Sequence, residues 1–228
     1  MRSPDTDVFF ILLYHAACVP NITVIFETGK GNTRRCIDIT AMSNSLSPTY
    51  RSSLLSLHAF SGCDSCSAFK GKGKVKPIKT LTQSMRYQQA FCEIGQSADV
   101  SLHVKETLEE FTCALYGDYR EKHVDSLRYK KLQAKCGTGK KSKLNPKMNF
   151  EMAALPPCQS CLTQHVNRVN YQVMIWRRAH IPEPVLPDPM DGHGWTCADG
   201  VMQPKWTDGE ILPHQLVDIL EETVVIIY

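Results

Sequence analysis

One stretch, HAFSGCDSCSAFKGKGKVK at residues 58–76, limits the folds open to this chain more than any other. The apolar residues from Leu54 to Phe60 predict the end of a buried helix. Gly62 then breaks the pattern and places the carboxylate of Asp64 just beyond the break. The stretch therefore predicts a core helix that ends in a turn with an acidic side chain.

A glycine turn rich in lysine follows this break. Glycine adopts positive φ and lets the backbone approach a ligand closely, and exposed amides at such a turn suit a phosphate. Lysine side chains bind a nucleic-acid backbone without reading its sequence. The candidate nucleic-acid-binding residues are Lys70, Gly71, Lys72, Gly73, Lys74 and Lys76. From spacing alone, a solvated basic loop is an equal alternative.

A second acidic motif stands near the start of the sequence. Asp5 and Asp7 directly precede the continuous apolar run Val8 to Leu13. Such a run is the pattern of a strand buried on both faces of a parallel sheet, and ligand sites collect at the ends of such strands. We therefore predict a core strand at 8–13 with both carboxylates at its edge.

These motifs, in this order, resemble the flap-endonuclease (XPG-type) branch of the PIN-like nuclease superfamily. There an Asp-x-Asp lies at a core strand, a Gly-x-Asp ends a helix, and a Gly-x-Gly turn of a helix-hairpin-helix holds duplex backbone. Several segments also resemble transposon-associated animal proteins with this domain, namely SPDTDV, LHAFSGCD, GKGK, QHVNRVNYQVMIW and GHGW. The resemblance implies an α/β fold with a partial parallel sheet, a helix-hairpin-helix-like element and a mainly α-helical C-terminal extension.

The resemblance also implies roles for matching residues. Asp5, Asp7 and Asp64 would be catalytic and would hold Mg²⁺ or Mn²⁺, because two such ions activate water and stabilise the leaving oxygen in phosphodiester hydrolysis. The family's other metal carboxylates lie upstream of Asp5. We therefore expect the C-terminal part of a nuclease-like protein, with little or no turnover by itself.

Three functions stay open at this point. They are metal-dependent, structure-specific cleavage of nucleic acid, non-catalytic binding through the GKGK turn, and a structural or interaction remnant that uses the helix around Trp176. The expected partner is nucleic acid, with DNA before RNA, and no membrane. The glycines and lysines at 137–141 lack the spacing of a P-loop, so we expect no nucleotide-triphosphate site.

The 228 residues can hold one domain or one and a half. We predict the nuclease-like part at 1–135, a basic linker at 136–154, and a helical extension with a proline-, glycine- and tryptophan-rich tail at 155–228. No apolar run reaches the ~20 residues of a membrane span, and the acidic residues near the start interrupt any signal peptide. We expect an intracellular protein with reduced thiols, the nucleus being one compartment open to it.

Two cysteine pairs, Cys63/Cys66 and Cys158/Cys161, have the spacing of zinc ligands but lie far apart in sequence, so a structural zinc is a minor alternative. His58 lies on an apolar helix face and is predicted to be a core histidine rather than the partner of a nucleophilic cysteine. The periodicity further predicts a hairpin at 22–39 and a helix opened by Pro48. It also predicts helices at 78–92, 102–115, 124–135 and 159–178.

Overall fold

The computed structural model describes residues 1–19, 21–136 and 151–209. Within them the chain has a mixed, mainly helical fold with two small antiparallel sheets. The helices are α1 (Thr6–His15), α2 (Ile39–Ser45), α3 (Pro48–Phe60), α4 (Val75–Thr82), α5 (Met85–Glu93), α6 (Leu102–Leu115), α7 (Val124–Cys136) and α8 (Gln159–Arg177). The strands are β1 (Ile25–Thr28), β2 (Arg35–Asp38), β3 (Trp195–Ala198) and β4 (Val201–Pro204). None of these helices has the length and apolar character of a membrane span.

The prediction of a core strand at 8–13 is wrong, because these residues lie within α1. Asp5 is the N-cap, and its Oδ1 accepts a hydrogen bond from the Asp7 amide at 2.8 Å. Carboxylates at the cap and in the first turn stabilise a helix start, and a short apolar run fits a buried helix as well as a buried strand. The described residues form no parallel sheet: β1 pairs with β2 and β3 with β4, and one isolated parallel bridge joins Arg2 to Glu27.

The predicted hairpin and the helix start at Pro48 are confirmed. β1 and β2 pair antiparallel with Ile25 opposite Asp38, and the ring of Phe26 is buried in the core. Pro48 stands in the first turn of α3, where its missing N–H costs no helical hydrogen bond. Both predictions depended on local backbone chemistry, which tertiary packing did not override.

The helix predicted at 78–92 is divided into α4 and α5. The hydroxyl of Ser84 accepts a hydrogen bond from the Tyr87 amide and begins a new helix there. Met85 and Leu102, which helical periodicity would turn inward, are 60% and 72% exposed, and each directly follows a serine N-cap. The bounds predicted for α6 are those observed.

α3 is the centre of the core. Nine consecutive residues, Ser52 to Phe60, are buried, because α1, α5 and α8 pack around the helix. The ring of Phe60 meets the rings of Phe91 and Phe111 edge to face, at centroid distances of 5.3 Å and 5.9 Å. Aromatic pairs of this geometry add to the stabilisation from apolar burial.

α8 contributes to the same core. Its predicted apolar stripe is buried in full and consists of Leu162, Val166, Val169, Val173 and Trp176. Arg168 of α8 donates to the carbonyl of Gly194 at 3.1 Å and lies 5.3 Å from the ring of Trp206, which holds the β3–β4 hairpin against the helix. Residues 137–150 of the predicted linker lie outside the described ranges, and the division into a nuclease-like part and an extension stays a prediction.

Candidate functional site

The C-terminal end of α3 is closed by the side chain of Lys74. Its ammonium donates to the His58 carbonyl at 2.7 Å, to the Ser61 hydroxyl at 3.0 Å and to the Gly62 carbonyl. A cation there satisfies open carbonyls and meets the negative end of the helix dipole. Burial lowers the pKa of Lys74. Lys74, predicted to contact nucleic acid, thus has its ammonium bound to the end of α3.

Gly62 sets the direction of the chain after α3. Its φ is +113°, a conformation that L residues rarely adopt. A Cβ at this position would lie 2.6 Å from Cβ and 2.8 Å from Cα of Ala68. Only glycine fits, so the predicted glycine break is confirmed, and it leads into a tight turn from Cys63 to Cys66.

Asp7 pairs with a buried histidine. Its Oδ1 lies 2.7 Å from Nε2 of His58, whose side chain is 1% exposed. The imidazole stacks with the ring of Phe10, at a centroid distance of 4.2 Å, and with the ring of Trp176, at 5.9 Å. Burial lowers the pKa of His58 despite the opposing effect of the carboxylate, so a neutral imidazole donates its Nε2–H to Asp7. His58 is therefore the core histidine that the sequence predicts.

The other two predicted metal carboxylates are placed differently. Asp5 caps α1, and Asp64 is exposed in the turn after α3. Across the described ranges no three aspartate, glutamate, histidine or cysteine side chains converge on a position that could hold a metal ion. Asp7 is hydrogen-bonded to His58, and Asp5 is hydrogen-bonded to the first turn of its own helix. Metal binding by Asp5, Asp7 and Asp64 stays a prediction.

The glycine turn at residues 70–74 has the backbone that the sequence predicts. The φ angles of Gly71 and Gly73 are +70° and +51°, in the left-handed region. No heavy atom lies within 4 Å of the position that a Cβ would take at either glycine, so the turn is open on its outer side. Lys70 forms an exposed ion pair with Glu151.

Lys72 in the glycine turn, Lys76 in α4 and Lys131 in α7 lie close enough for their charges to interact, and we call these three lysines the basic face. Burial lowers the pKa of Lys72, and the nearby charges of Lys76 and Lys131 lower it further. The ammonium of Lys72 lies 4.1 Å from the ring centroid of Tyr116, a cation–π distance. The lysines that form ion pairs within the described ranges are others, namely Lys70, Lys122, Lys130 and Lys205.

The sequence predicts Lys72 and Lys76 at the site and marks Lys131 only as part of a second lysine cluster, at 130–148, while Tyr116 is not predicted at all. Lys131 belongs to a second lysine-rich stretch, and only the packing of α7 against α6 brings it near the turn. Tyr116 directly follows α6 and has no motif around it. Trp176, suggested as an interaction surface, is buried in the core.

The chain was compared with protein-family profiles, curated proteins and solved structures. None of them matches it.

Proposed function

We propose that this chain binds the sugar–phosphate backbone of nucleic acid, DNA before RNA, through the basic face, and that it does not cleave the strand by itself. The observation that supports this function is that the charges of Lys76 and Lys131 act on Lys72, while none of the three lysines has an acidic partner among the described residues. Like charges held together repel one another, and a row of phosphates relieves this repulsion while releasing counterions.

The shape of the turn supports the same partner. Gly71 and Gly73 leave open space on the outer side of the backbone, so a phosphate can approach the main-chain amides there. α4 begins at Val75, directly after the turn, and its first amides have no acceptor within the helix. Lysine is a point charge that binds phosphate without fixed geometry, which suits backbone contacts rather than base recognition.

Replacing Lys72, Lys76 and Lys131 singly by alanine is expected to weaken duplex binding and to reduce its salt dependence. Each phosphate contact contributes about 0.9 to the slope of log K against log salt, so each variant should reduce the magnitude of that slope by about one. Fluorescence anisotropy of a labelled duplex between about 50 and 200 mM salt measures it. Lys30→Ala removes an exposed lysine from the β1–β2 turn and is the control. Equal slopes for wild type and all three variants would rule out the basic face.

Part of a metal-dependent nuclease-like centre is a second candidate function. One observation favours it: the charge of Asp7 acts on the thiol of Cys63, the residue directly before Asp64. Hydrolysis would still need additional carboxylates beside them to hold two ions.

Incubation of the chain with branched DNA and with RNA in Mg²⁺ or Mn²⁺ separates the two candidates. We expect binding without cleavage, since the carboxylates of Asp5 and Asp7 already have partners. Metal-dependent cleavage that is lost in Asp64→Asn but kept in Lys30→Ala would establish the second candidate instead. Asp64 is the position to replace because its side chain is exposed. It makes no hydrogen bond within the described residues, so the substitution breaks none.

A further inference from the structure

The turn Cys63–Asp64–Ser65–Cys66 holds its two cysteines opposite each other. The Cys63 amide donates to the Cys66 carbonyl at 3.1 Å, and the Cys66 amide donates to the Cys63 carbonyl at 3.3 Å. Residues that exchange both hydrogen bonds in this way have Cα atoms about 5.5 Å apart. A disulfide usually joins Cα atoms roughly 4.4–6.8 Å apart. The backbone of the reduced turn thus already has the spacing that a disulfide needs.

The two thiols differ in their surroundings. Cys66 is buried, at 5% exposure, whereas Cys63 is half-buried. The two thiols lie close enough to form a hydrogen bond with each other. Lys74 lies close enough to interact with a thiolate at Cys63. This is the arrangement of an attacking thiolate backed by a protected second thiol.

The turn is also held rigidly. Gly62, directly before it, is confined by Ala68, and its carbonyl is bound by Lys74. Cys63 and Cys66 are therefore fixed relative to the end of α3. Bond formation between them would need rotation of side chains rather than rearrangement of the backbone.

Among the other cysteines whose side chains the structure describes, no two exchange both backbone hydrogen bonds as Cys63 and Cys66 do. Burial raises the pKa of Cys113 to about 12. Cys161, in the second pair, has its pKa raised to about 11, first by burial and then by its hydrogen bond with Cys158. A zinc centre would need two more ligands beside Cys63 and Cys66, and the described residues supply none.

We propose that Cys63 and Cys66 form a redox-active dithiol that exchanges with small-molecule disulfides such as oxidised glutathione. The Cys63 thiolate attacks one sulfur of the disulfide, forms a mixed disulfide and releases one glutathione thiolate. Cys66 then loses its proton and attacks Sγ of Cys63, which releases the second thiolate. Overall, two protein thiols are oxidised to one disulfide, and one glutathione disulfide is reduced to two thiols. This activity does not depend on nucleic-acid binding.

Equilibration of the full chain in glutathione buffers of graded redox ratio tests this proposal. Trypsin cleavage after Arg51 and Lys70 gives one peptide, 52–70, that contains Cys63 and Cys66 and no other cysteine. After acid quenching and alkylation, mass spectrometry should show the peptide passing from two alkyl groups to none, two hydrogens lighter than the dithiol. A peptide that keeps both alkyl groups at every ratio would overturn the proposal.

Two serine variants identify the attacking thiol. Cys66→Ser should accumulate a stable glutathione adduct at Cys63, because no second thiol can displace it. Cys63→Ser should leave Cys66 without adduct, since that thiol is buried and a glutathione disulfide cannot reach it. A wild-type chain that accumulates the Cys63 adduct without closing the disulfide would contradict the proposal even if a variant fails to fold. Cys158→Ser is the control and should leave the redox profile of peptide 52–70 unchanged.

Discussion

Replacing Gly62 by alanine should lower the free energy of unfolding by about 3 kcal/mol, because two penalties add. The first is backbone strain, since alanine would have to adopt φ near the observed +113°. The second is steric, since the new methyl group would lie 2.6 Å from the Ala68 side chain and 2.8 Å from its backbone. Neither contact can relax by rotation of a flexible side chain.

Gly71→Ala is the matched control for this substitution. Gly71 also has positive φ, at +70°, but a methyl group there would meet open space. We expect a loss of only about 1 kcal/mol, from the left-handed backbone alone. Urea denaturation followed by circular dichroism measures both values. Equal losses at the two glycines would show that the contact with Ala68 does not determine the turn.

The stability of the fold should fall steeply with acid, mainly because of His165. This histidine lies on α8, its Nε2–H donates to the Phe60 carbonyl at 2.8 Å, and burial lowers its pKa to about 4. The unfolded chain takes up a proton near the ordinary value of 6.5, which the folded chain excludes until about 4. The unfolded state therefore binds more protons in this window, and the free energy of unfolding decreases as pH falls, by on the order of 3 kcal/mol.

Urea unfolding at several pH values between about 7 and 4 tests this dependence. His165→Gln keeps a donor for the Phe60 carbonyl but cannot titrate, so its stability should change much less over the same range. His103→Gln replaces an exposed histidine of α6 and should keep the wild-type profile. His58 and His15, whose pKa values burial also lowers, add to the remaining slope. An unchanged slope in His165→Gln would refute the assignment.

The parts of the fold that the sequence predicts correctly are those marked by a helix start or by an apolar stripe. Pro48, the stripe of α8 and the bounds of α6 follow from local chemistry and periodicity. The run Val8 to Leu13 gave the wrong element because an uninterrupted apolar segment has no period that separates strand from helix. The N-cap Asp5 was the useful signal there, since an aspartate directly before an apolar run often begins a helix.

The candidate site was predictable only where a single segment builds it. Gly62 and the glycine turn follow from residues adjacent in sequence, and both have the predicted backbone. The pairing of Asp7 with His58 and the approach of Lys131 to Lys72 join distant segments, so spacing cannot predict them. Lys74 is the opposite case. The basic stretch predicts that it contacts nucleic acid, but its ammonium binds a carbonyl at the C-terminal end of α3.

The enclosure of α3 by α1, α5 and α8 has a consequence for cooperativity. A helix with nine buried residues in succession cannot keep its packing if the stripe of α8 leaves it, so segments on both sides of residues 137–150 should melt as one unit. In scanning calorimetry the measured enthalpy should then equal the van't Hoff enthalpy. The glycine turn, which follows α3 in sequence, therefore depends for its position on α8 as well as on the elements that precede it in sequence.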